Sequence, residues 1–340
     1  MKLGIIGLPG AGKKTVFEAL TQNIAGAFHS GESRIGTIPV PDERVNILSS
    51  MYNPKKTIFA QVEYFLPGFQ SGKKDRNIWN DVRDCDAFIQ VVRNFSEFGS
   101  EPPAPADDIR ELEQEMILAD LVVVEKRLER LDLDQKRGKP ASNEELSLIR
   151  ECSKYLNDEV SLRYFPHLAG AQILKGFAFV SAKPILILFN NTDEDECFPD
   201  GEGVSDKYDR IVIRGKLEHE LIQMPEEEAE EFLSEFNIKA SAMDRVIKKS
   251  YEILGLISFF TVGEDEVRAW TIKKETEAVD AADVIHSDIK KGFIRAEVLS
   301  YNDLIEAGSY QEAKKNGMVR LEGKTYIVRD GDIINFRFNV

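Results

Sequence analysis

Hydrophobic residues recur along this chain in short runs that are rich in branched and aromatic side chains. Residues 2–6, 62–65, 87–92 and 184–189 each form such a run, and helical or loop-like segments separate them. Continuous apolar runs of this length are typical of strands buried on both faces, and their alternation with helices predicts a mostly parallel sheet. Ligands of such sheets bind at the carboxyl ends of the strands, so the segments after the first and last runs are expected to be neighbours.

A different pattern interrupts this alternation between residues 107 and 158. Apolar residues fall there at helical spacing among Glu, Arg and Lys: Ile109, Leu112, Met116, Leu121, Val124 and Leu128. Gly138 and Pro140 break the run before a second helical stretch begins near Asn143. The pattern predicts a helical hairpin that projects from the sheet, with charged faces that either dock a partner or face solvent.

The chain becomes β-rich from about residue 259. Apolar runs occupy residues 267–272, 293–298, 326–328 and 333–338, and turn signals around Gly323 and Gly331 separate the last three. We therefore expect a compact C-terminal α+β domain. This segment contains no Ser-His-Asp, Cys-His or metal-ligand arrangement, so binding is expected there rather than catalysis.

Composition and charge exclude several classes of protein. The chain has 340 residues, 42% of them hydrophobic, which is enough for two or three domains with real cores. No apolar run approaches the roughly twenty residues of a membrane span, and the first residues lack a signal-peptide pattern, so we expect a cytoplasmic location and no membrane partner. The net charge of −15 argues against a surface that attracts nucleic acid as a whole.

The strongest chemical signal follows the first apolar run. The sequence Gly-Leu-Pro-Gly-Ala-Gly-Lys-Lys-Thr at residues 7–15 has the spacing of a phosphate-binding loop, and an amphipathic helix continues from it. Such a loop brings backbone N–H groups and a helix N-terminus to one anion, and its first lysine reaches the terminal phosphates. The predicted phosphate-binding residues are Gly7, Gly10, Ala11, Gly12, Lys13, Lys14 and Thr15.

Several segments together resemble YchF, an Obg-related family of P-loop nucleotide-binding proteins. The resemblance rests on residues 7–9, 39–42 and 118–121, and is closest in four C-terminal stretches, residues 267–271, 292–298, 320–324 and 336–340. It covers essentially the whole chain. It implies an α/β fold in three parts: a P-loop NTPase-type, mostly parallel sheet domain (1–106 and 166–258), an inserted helical hairpin (107–165) and a C-terminal β-grasp (TGS) α+β domain (259–340).

The resemblance also implies partners and a nucleotide. Members of the YchF family associate with ribosomes and often prefer ATP to GTP, so the expected ligand is ATP or GTP and the expected location is the cytoplasm. The first switch region of the family falls near Ser30, and the second includes Gly68.

The chain departs from the family at the two positions that usually contact Mg²⁺. Family members have Gly-Lys-Ser-Thr where this chain has Lys14 in place of the serine, and Asp-x-x-Gly where it has Phe65 in place of the aspartate. A lysine has no acceptor atom and a phenylalanine has no ligand atom, so the sequence argues against Mg²⁺ and no metal ligand is assigned. Metal ions supply much of the charge neutralisation in phosphoryl transfer, so weakened hydrolysis is expected and no catalytic residue is assigned.

Lys14 itself has two interpretations. Its ammonium group either lies near the position of the missing metal and partly replaces that charge, or it fills the site and blocks it. Glu63 is another group considered as a metal ligand, although it lies a full pleat repeat further from the loop than Phe65.

The base-recognition loop is predicted at Asn190-Asn191-Thr192-Asp193, after the last apolar run of the sheet. GTPases have Asn-Lys-x-Asp here, in which the Asp accepts two N–H groups of guanine and the Lys stem covers the base. Asp193 favours guanine but Asn191 lacks the stem, so the choice between ATP and GTP stays open. The predicted base-binding residues are Asn190, Asp193, Arg214 and Gly215.

These observations predict a YchF-like protein that binds a purine nucleotide and acts as a translation- or ribosome-associated switch with weakened Mg²⁺-dependent hydrolysis. Two alternatives stay open. One is an active ATPase or GTPase that recruits metal through Thr15, Glu63 or a switch residue. The other is a scaffold with a vestigial nucleotide site, whose TGS-like domain and helical hairpin contact RNA or the ribosome.

Overall fold

The computed structural model describes residues 1–22, 31–68, 78–96, 101–137, 142–199, 208–235 and 241–339. Contacts between Cα atoms divide the chain into two units. The first unit contains residues 1–37 and 63–246, and the second contains residues 38–62 and 247–340. Among the described residues, no helix combines the length and the apolar character that crossing a bilayer requires.

The first unit is built on a sheet of six strands. The strands in the first 213 residues are β1 (Lys2–Ile6), β2 (Arg34–Pro39), β3 (Lys56–Ile58), β4 (Gln61–Leu66), β5 (Ala87–Asn94), β6 (Ile185–Asn191) and β7 (Asp209–Ile213). All of them except β3 form this sheet, in the order β2-β4-β1-β5-β6-β7. The pairs β1–β4, β1–β5, β5–β6 and β6–β7 are parallel, which confirms the predicted sheet type.

Helices flank this sheet because each has one apolar face to bury. In chain order, the helices up to residue 253 are α1 (Lys13–Thr21), α2 (Glu43–Tyr52), α3 (Ile78–Val82), α4 (Pro105–Lys136), α5 (Asn143–Asn157), α6 (Pro166–Ala169), α7 (Gly215–Leu221), α8 (Glu226–Glu235) and α9 (Ala242–Ile253). Of these, α2 belongs to the second unit. Two short 3-10 helices lie at Leu162–Tyr164 and Gln172–Phe177. Helix α1 buries Val16, Phe17, Ala19 and Leu20, so the amphipathic helix predicted after the phosphate loop is confirmed.

The predicted helical hairpin is confirmed as α4 and α5. The first turns of α4 pack Ile109, Leu112 and Met116 into the core of the sheet. Further along, α4 and α5 share a separate core that includes Val124 and Cys152, together with residues between 162 and 179. This second core also contains residues beyond 165. The predicted boundaries of the inserted part, 107–165, stay a prediction.

The second unit has its own sheet, in the order β11-β10-β12-β8-β9-β3. Its remaining strands are β8 (Leu256–Val262), β9 (Glu266–Lys273), β10 (Phe293–Ser300), β11 (Arg320–Glu322) and β12 (Asp332–Phe338). Its remaining helices are α10 (Ala278–Ile285), α11 (Ser287–Lys291), α12 (Tyr301–Ala307) and α13 (Tyr310–Lys315). The small side chains of α10 pack on Phe259, Phe293 and Phe336 to form its core. This α+β composition agrees with the predicted C-terminal domain.

One predicted strand of this domain is wrong. Residues 326–328 contribute a single isolated bridge, between Ile327 and Glu277. The backbone of this stretch is bonded to the turn before α10, where the N–H of Val328 donates to the carbonyl of Thr276 and the carbonyl of Tyr326 accepts from Ala278. These two hydrogen bonds form the bridge itself, which is shorter than the ladder of a strand.

Residues 38–62 belong to the second unit, whereas the predicted boundaries assign them to the nucleotide domain. Strand β3 pairs in parallel with β9, with Thr57 opposite Val267. The side chain of Asp42 caps α2 by accepting from the N–H of Arg44, and the Arg44 guanidinium lies 2.7 Å from Asp330. The pairing with β9 and this ion pair are the physical reason for the difference.

Candidate functional site

The predicted phosphate loop is a turn between β1 and α1. Gly12 is the N-cap of α1 and has a φ of 90°, a left-handed conformation that glycine adopts without steric cost. The N–H of Val16 donates to the carbonyl of Gly12 at 3.0 Å, and the N–H of Ala11 donates to the carbonyl of Leu8 at 3.3 Å. The loop thus leads directly into the N-terminus of a nine-residue helix, where an anion would be stabilised.

Lys13 folds back over this loop. Its Nζ donates to the carbonyls of Gly7 at 2.8 Å and of Leu8 at 2.7 Å. Burial lowers the pKa of Lys13 to about 8. The ammonium group is therefore held at the loop with two neutral acceptors and without a carboxylate, and a phosphate that replaced those carbonyls would raise its pKa again.

This shift predicts that phosphate binding depends on pH. A bound phosphate requires protonated Lys13, so we expect the affinity for ATP to fall about tenfold between pH 7 and pH 9, as the free lysine loses its proton. The terminal phosphate has lost its own last proton below this range. Equilibrium titration across the range measures the slope. The Lys13→Met variant should bind weakly with a nearly flat profile, and a flat profile for the unchanged chain would contradict the assignment.

Asn190 joins the phosphate loop to the second predicted loop. This side chain is buried at the end of β6, where its Nδ2 donates to the carbonyl of Ala11 at 3.1 Å. Its Oδ1 accepts from the N–H of Gly215 at 3.0 Å. Both loops therefore meet at the carboxyl edge of the sheet, and the predicted proximity of the segments after β1 and after β6 is confirmed.

The other polar side chains near the ends of β6 and β7 are bonded to other parts of the protein. Asn191 is buried, since its Oδ1 accepts from Asn94 at 2.9 Å and its Nδ2 donates to the carbonyl of Cys197 at 2.7 Å. The Oδ1 of Asp193 accepts from the N–H of Leu217 at 3.1 Å in the first turn of α7. Arg214 lies 3.0 Å from Glu196. Asn191 is thus used by the fold, and Asp193 is anchored to α7.

These loops enclose a cavity of about 880 Å³. Its lining includes the predicted residues Gly10, Gly12, Lys13, Lys14, Thr15, Asn190 and Asp193. The other predicted phosphate- and base-binding residues do not line the cavity. Backbone contacts described above involve Gly7, Ala11 and Gly215, and the Arg214 guanidinium is paired with Glu196. A space of this volume is of the size that small-molecule ligands occupy.

Sequence reasoning missed five lining residues: Phe95, Ser96, Glu194, His219 and Glu220. Phe95 and Ser96 directly follow β5, so the strand-end rule that located the other loops would have found them as well. His219 and Glu220 lie three and four residues after Lys216 on α7, which places them on one face of that helix.

The two positions that hold a metal in related loops have different surroundings. The Lys14 side chain is 67% exposed and its Nζ lies 3.7 Å from Glu18. Phe65 is buried in the core of the sheet, with the Lys2 ammonium 4.1 Å from its ring centroid. Within the described part of the chain, no three His, Cys, Asp or Glu side chains are grouped so as to hold a metal ion.

Glu63 lies far from the phosphate loop. It is in register with Lys2, at the opposite end of β1 from Gly7, and the five residues between those levels span about 16 Å of strand. This position does not favour Glu63 as a replacement metal ligand.

The two predicted switch segments meet where the structure describes them. The N–H of Gly68 donates to the Ser33 Oγ at 3.1 Å, and a Cβ on Gly68 would lie 2.2 Å from the carbonyl oxygen of Gly31. Ser30 lies outside the described residues, so its predicted switch role stays a prediction.

Comparison with known proteins shows what this chain is similar to. The family model YchF-GTPase_C, described as a protein of unknown function (DUF933), matches residues 256–339. The Bacillus subtilis (strain 168) protein named Ribosome-binding ATPase YchF is 37% identical over 363 residues, which cover 99% of each chain. The chain belongs to the YchF family. The resemblance seen in the sequence is confirmed, and the YchF C-terminal model begins at the first residue of β8.

Further YchF relatives agree in length and fold. The Haemophilus ducreyi protein, also named Ribosome-binding ATPase YchF, is 36% identical over 360 residues, which cover 100% of this chain and 99% of that one. The solved structure of the Schizosaccharomyces pombe YchF GTPase has a TM-score of 0.84 and 30% identity, covering 99% of this chain and 97% of that chain. A GTP binding protein from Pyrococcus horikoshii OT3, at 19% identity and a TM-score of 0.61, shares the fold.

Proposed function

We propose that this YchF-family chain binds a purine nucleoside triphosphate in the cavity and acts as a ribosome-associated switch in the cytoplasm. One observation carries the proposal: Asn190 ties the phosphate loop to the loop after β6, so Lys13 and Asp193 line the same cavity. The helix N-terminus and Lys13 would hold the phosphates at one end. The base would lie toward Asp193 and Phe95.

The contacts at the base end support either purine. The Oδ1 of Asp193 already accepts from Leu217, so only part of its acceptor capacity is available to guanine. The Asn191 amide is hydrogen-bonded to Asn94 and Cys197, and the half-buried Phe95 lines the cavity with an aromatic ring, on which any base can stack. The names of the relatives are divided in the same way, since the bacterial proteins are called ATPases and the yeast structure a GTPase.

Ribosome association is supported by the relatives rather than by a surface of this chain. Proteins named Ribosome-binding ATPase YchF match it over nearly their whole length at 36–37% identity. The part of the chain that contacts the ribosome, the C-terminal domain or the helical hairpin, stays a prediction.

The residues at the usual metal positions do not fit Mg²⁺. Lys14 presents a cation where a hydroxyl would coordinate the ion, and Phe65 is buried and apolar where a carboxylate is needed. Of the side chains considered as replacement ligands, Thr15 lines the cavity and Glu63 does not. We infer that hydrolysis is weakened, because charge neutralisation of the transition state is left to Lys13, Lys14 and the backbone N–H groups.

Equilibrium titration of the full chain with labelled ATP and labelled GTP tests the nucleotide proposal. We expect saturable binding of at least one of them, and competition by the unlabelled nucleotide. Absence of binding for both, with ribosome co-sedimentation retained, would identify the scaffold alternative instead.

Hydrolysis is tested separately by multi-turnover phosphate release. We expect release close to the rate without protein, for both nucleotides and with Mg²⁺ present, because no metal site of the usual kind supports the reaction. Sustained release over many turnovers, sensitive to Thr15→Ala, would identify the active ATPase or GTPase alternative.

A further inference from the structure

We propose that Lys14 is a built-in counter-ion for the bound nucleotide. Its ammonium group moves from Glu18 to the terminal phosphates and takes the electrostatic place of a divalent metal, so that nucleotide binding needs no divalent cation. This inference rests on the proposed function and specifies how the same cavity neutralises its ligand.

The position of Lys14 allows this movement. It lies in the first turn of α1 beside Lys13, and both residues line the cavity. Its side chain is 67% exposed, so no packing contact with the core fixes the ammonium. A lysine stem with several rotatable bonds can turn about the helix N-terminus and remain hydrated until a phosphate replaces the water.

Glu18 holds Lys14 only loosely. The distance from the Lys14 Nζ to the Glu18 Oε1 is 3.7 Å, the longest of three contacts that this carboxylate makes with basic side chains. The Arg34 Nη1 lies 2.9 Å from the same oxygen, and the His219 Nε2 lies 3.4 Å from the other. Ion pairs one helical turn apart with an exposed partner contribute little stability.

The other contacts of Glu18 lower the free energy needed to release Lys14. Arg34 and Glu18 are both largely buried, with side chains 14% and 13% exposed, so their pair persists when Lys14 leaves. The carboxylate is then still compensated by a guanidinium, and the departing ammonium gains a multiply charged phosphate. Charge-assisted contacts to phosphate are stronger than those across an exposed pair.

The same geometry disfavours a divalent ion at this place. An Mg²⁺ beside the Lys14 ammonium would meet a like charge, and the buried ring of Phe65 has no ligand atom to offer it. Lys13 and Lys14 together bring two positive charges to the phosphates, one fewer than one lysine and a divalent metal ion bring in the family arrangement.

The test is the dissociation constant of labelled ATP and GTP, measured for the full chain in excess EDTA and again in excess Mg²⁺. We expect the two conditions to differ by less than about twofold for the unchanged chain. Lys14→Met keeps most of the flexible unbranched stem without its charge, and should weaken binding in EDTA by at least about tenfold. Lys14→Arg keeps the charge and should stay within about threefold.

Lys291→Met is the matched control, because the Lys291 side chain is also 75% exposed, is paired with an acid on its own helix and does not line this cavity. It should change the affinity by less than about twofold, since its ion pair is with Asp288.

Two outcomes would overturn the inference. Binding of the unchanged chain that collapses in EDTA would show that a divalent cation is needed, and a Lys14→Met variant that binds as well or better would show that Lys14 blocks the site. The failure of the proposed function is distinct, since it would appear as no binding in either condition.

Discussion

The Gly12→Ala variant is expected to lose nucleotide affinity by about a hundredfold. A Cβ at Gly12 would lie 2.3 Å from the Nδ2 of Asn190, which is closer than atoms can approach. The Asn190 side chain has no free space on its other side, because a Cβ at Gly215 would also lie 2.5 Å from its Oδ1. The methyl group therefore breaks the link between the phosphate loop and the loop after β6.

The magnitude follows from the interactions that are lost. Alanine at a φ of 90° costs about 1–2 kcal/mol, and the two hydrogen bonds of Asn190 contribute about 1 kcal/mol each. The loss of binding free energy is therefore about 3 kcal/mol. That free energy corresponds to about two orders of magnitude in the dissociation constant. Titration with labelled ATP measures it, and circular dichroism checks that the helical content is unchanged.

Gly10→Ala is the matched control for this experiment. Gly10 also has a positive φ, 79°, but a Cβ there would have no atom within 4 Å. This variant carries the backbone strain without the clash, so its affinity should fall by only about tenfold. Equal losses in the two variants would mean that Asn190 does not organise the site.

The Asp120→Ala variant is expected to lower the free energy of unfolding of the first unit by about 3 kcal/mol. Asp120 is fully buried in α4 and accepts from the N–H groups of Val180 at 3.0 Å and Ser181 at 2.7 Å. Its Oδ1 also lies 3.3 Å from the Arg83 Nη1. Removal of the carboxylate leaves two buried donors without an acceptor and takes the counter-charge from a largely buried guanidinium.

This destabilisation should reach the nucleotide site as well. Residues 180 and 181 lie shortly before β6, the strand that ends at Asn190 and Asn191. Urea denaturation measures the free energy of unfolding, and amide hydrogen exchange should accelerate at residues 178–183. Asp132→Ala, an exposed acid on the same helix, is the control and should change the stability by less than about 0.5 kcal/mol. Normal stability of Asp120→Ala would contradict the structural role assigned here.

The elements near the phosphate loop could be predicted because their signals are local. A buried strand, a glycine-rich turn with Lys13 and an amphipathic helix follow one another within twenty residues, so β1 and α1 were predictable. The end of β6 was predictable from a long apolar run followed by Asn190. Parallel strands bring their carboxyl ends to one edge, which places these two loops together without further information.

Other features depend on contacts that the sequence does not encode locally. Strand β3 has only three residues and pairs with β9, so neither its length nor its pattern marks it as part of the second sheet. The hydrogen bonds of the Asn191 side chain with Asn94 and with the Cys197 carbonyl are another example, since an amide could bond either to a ligand or to other parts of the protein. Tertiary hydrogen bonds decide such orientations, and a motif alone leaves them open.

The pairing of β3 with β9 has a consequence for any attempt to isolate the C-terminal part of this protein. A fragment cut at residue 256 would keep β9 but lose the strand beside it, which leaves a bare edge prone to aggregation. It would also lack Arg44, whose guanidinium pairs with Asp330. This sheet takes one strand, β3, from an early part of the chain and another, β12, from residues 332–338. During synthesis it can therefore be completed only after β12 has left the ribosomal exit tunnel.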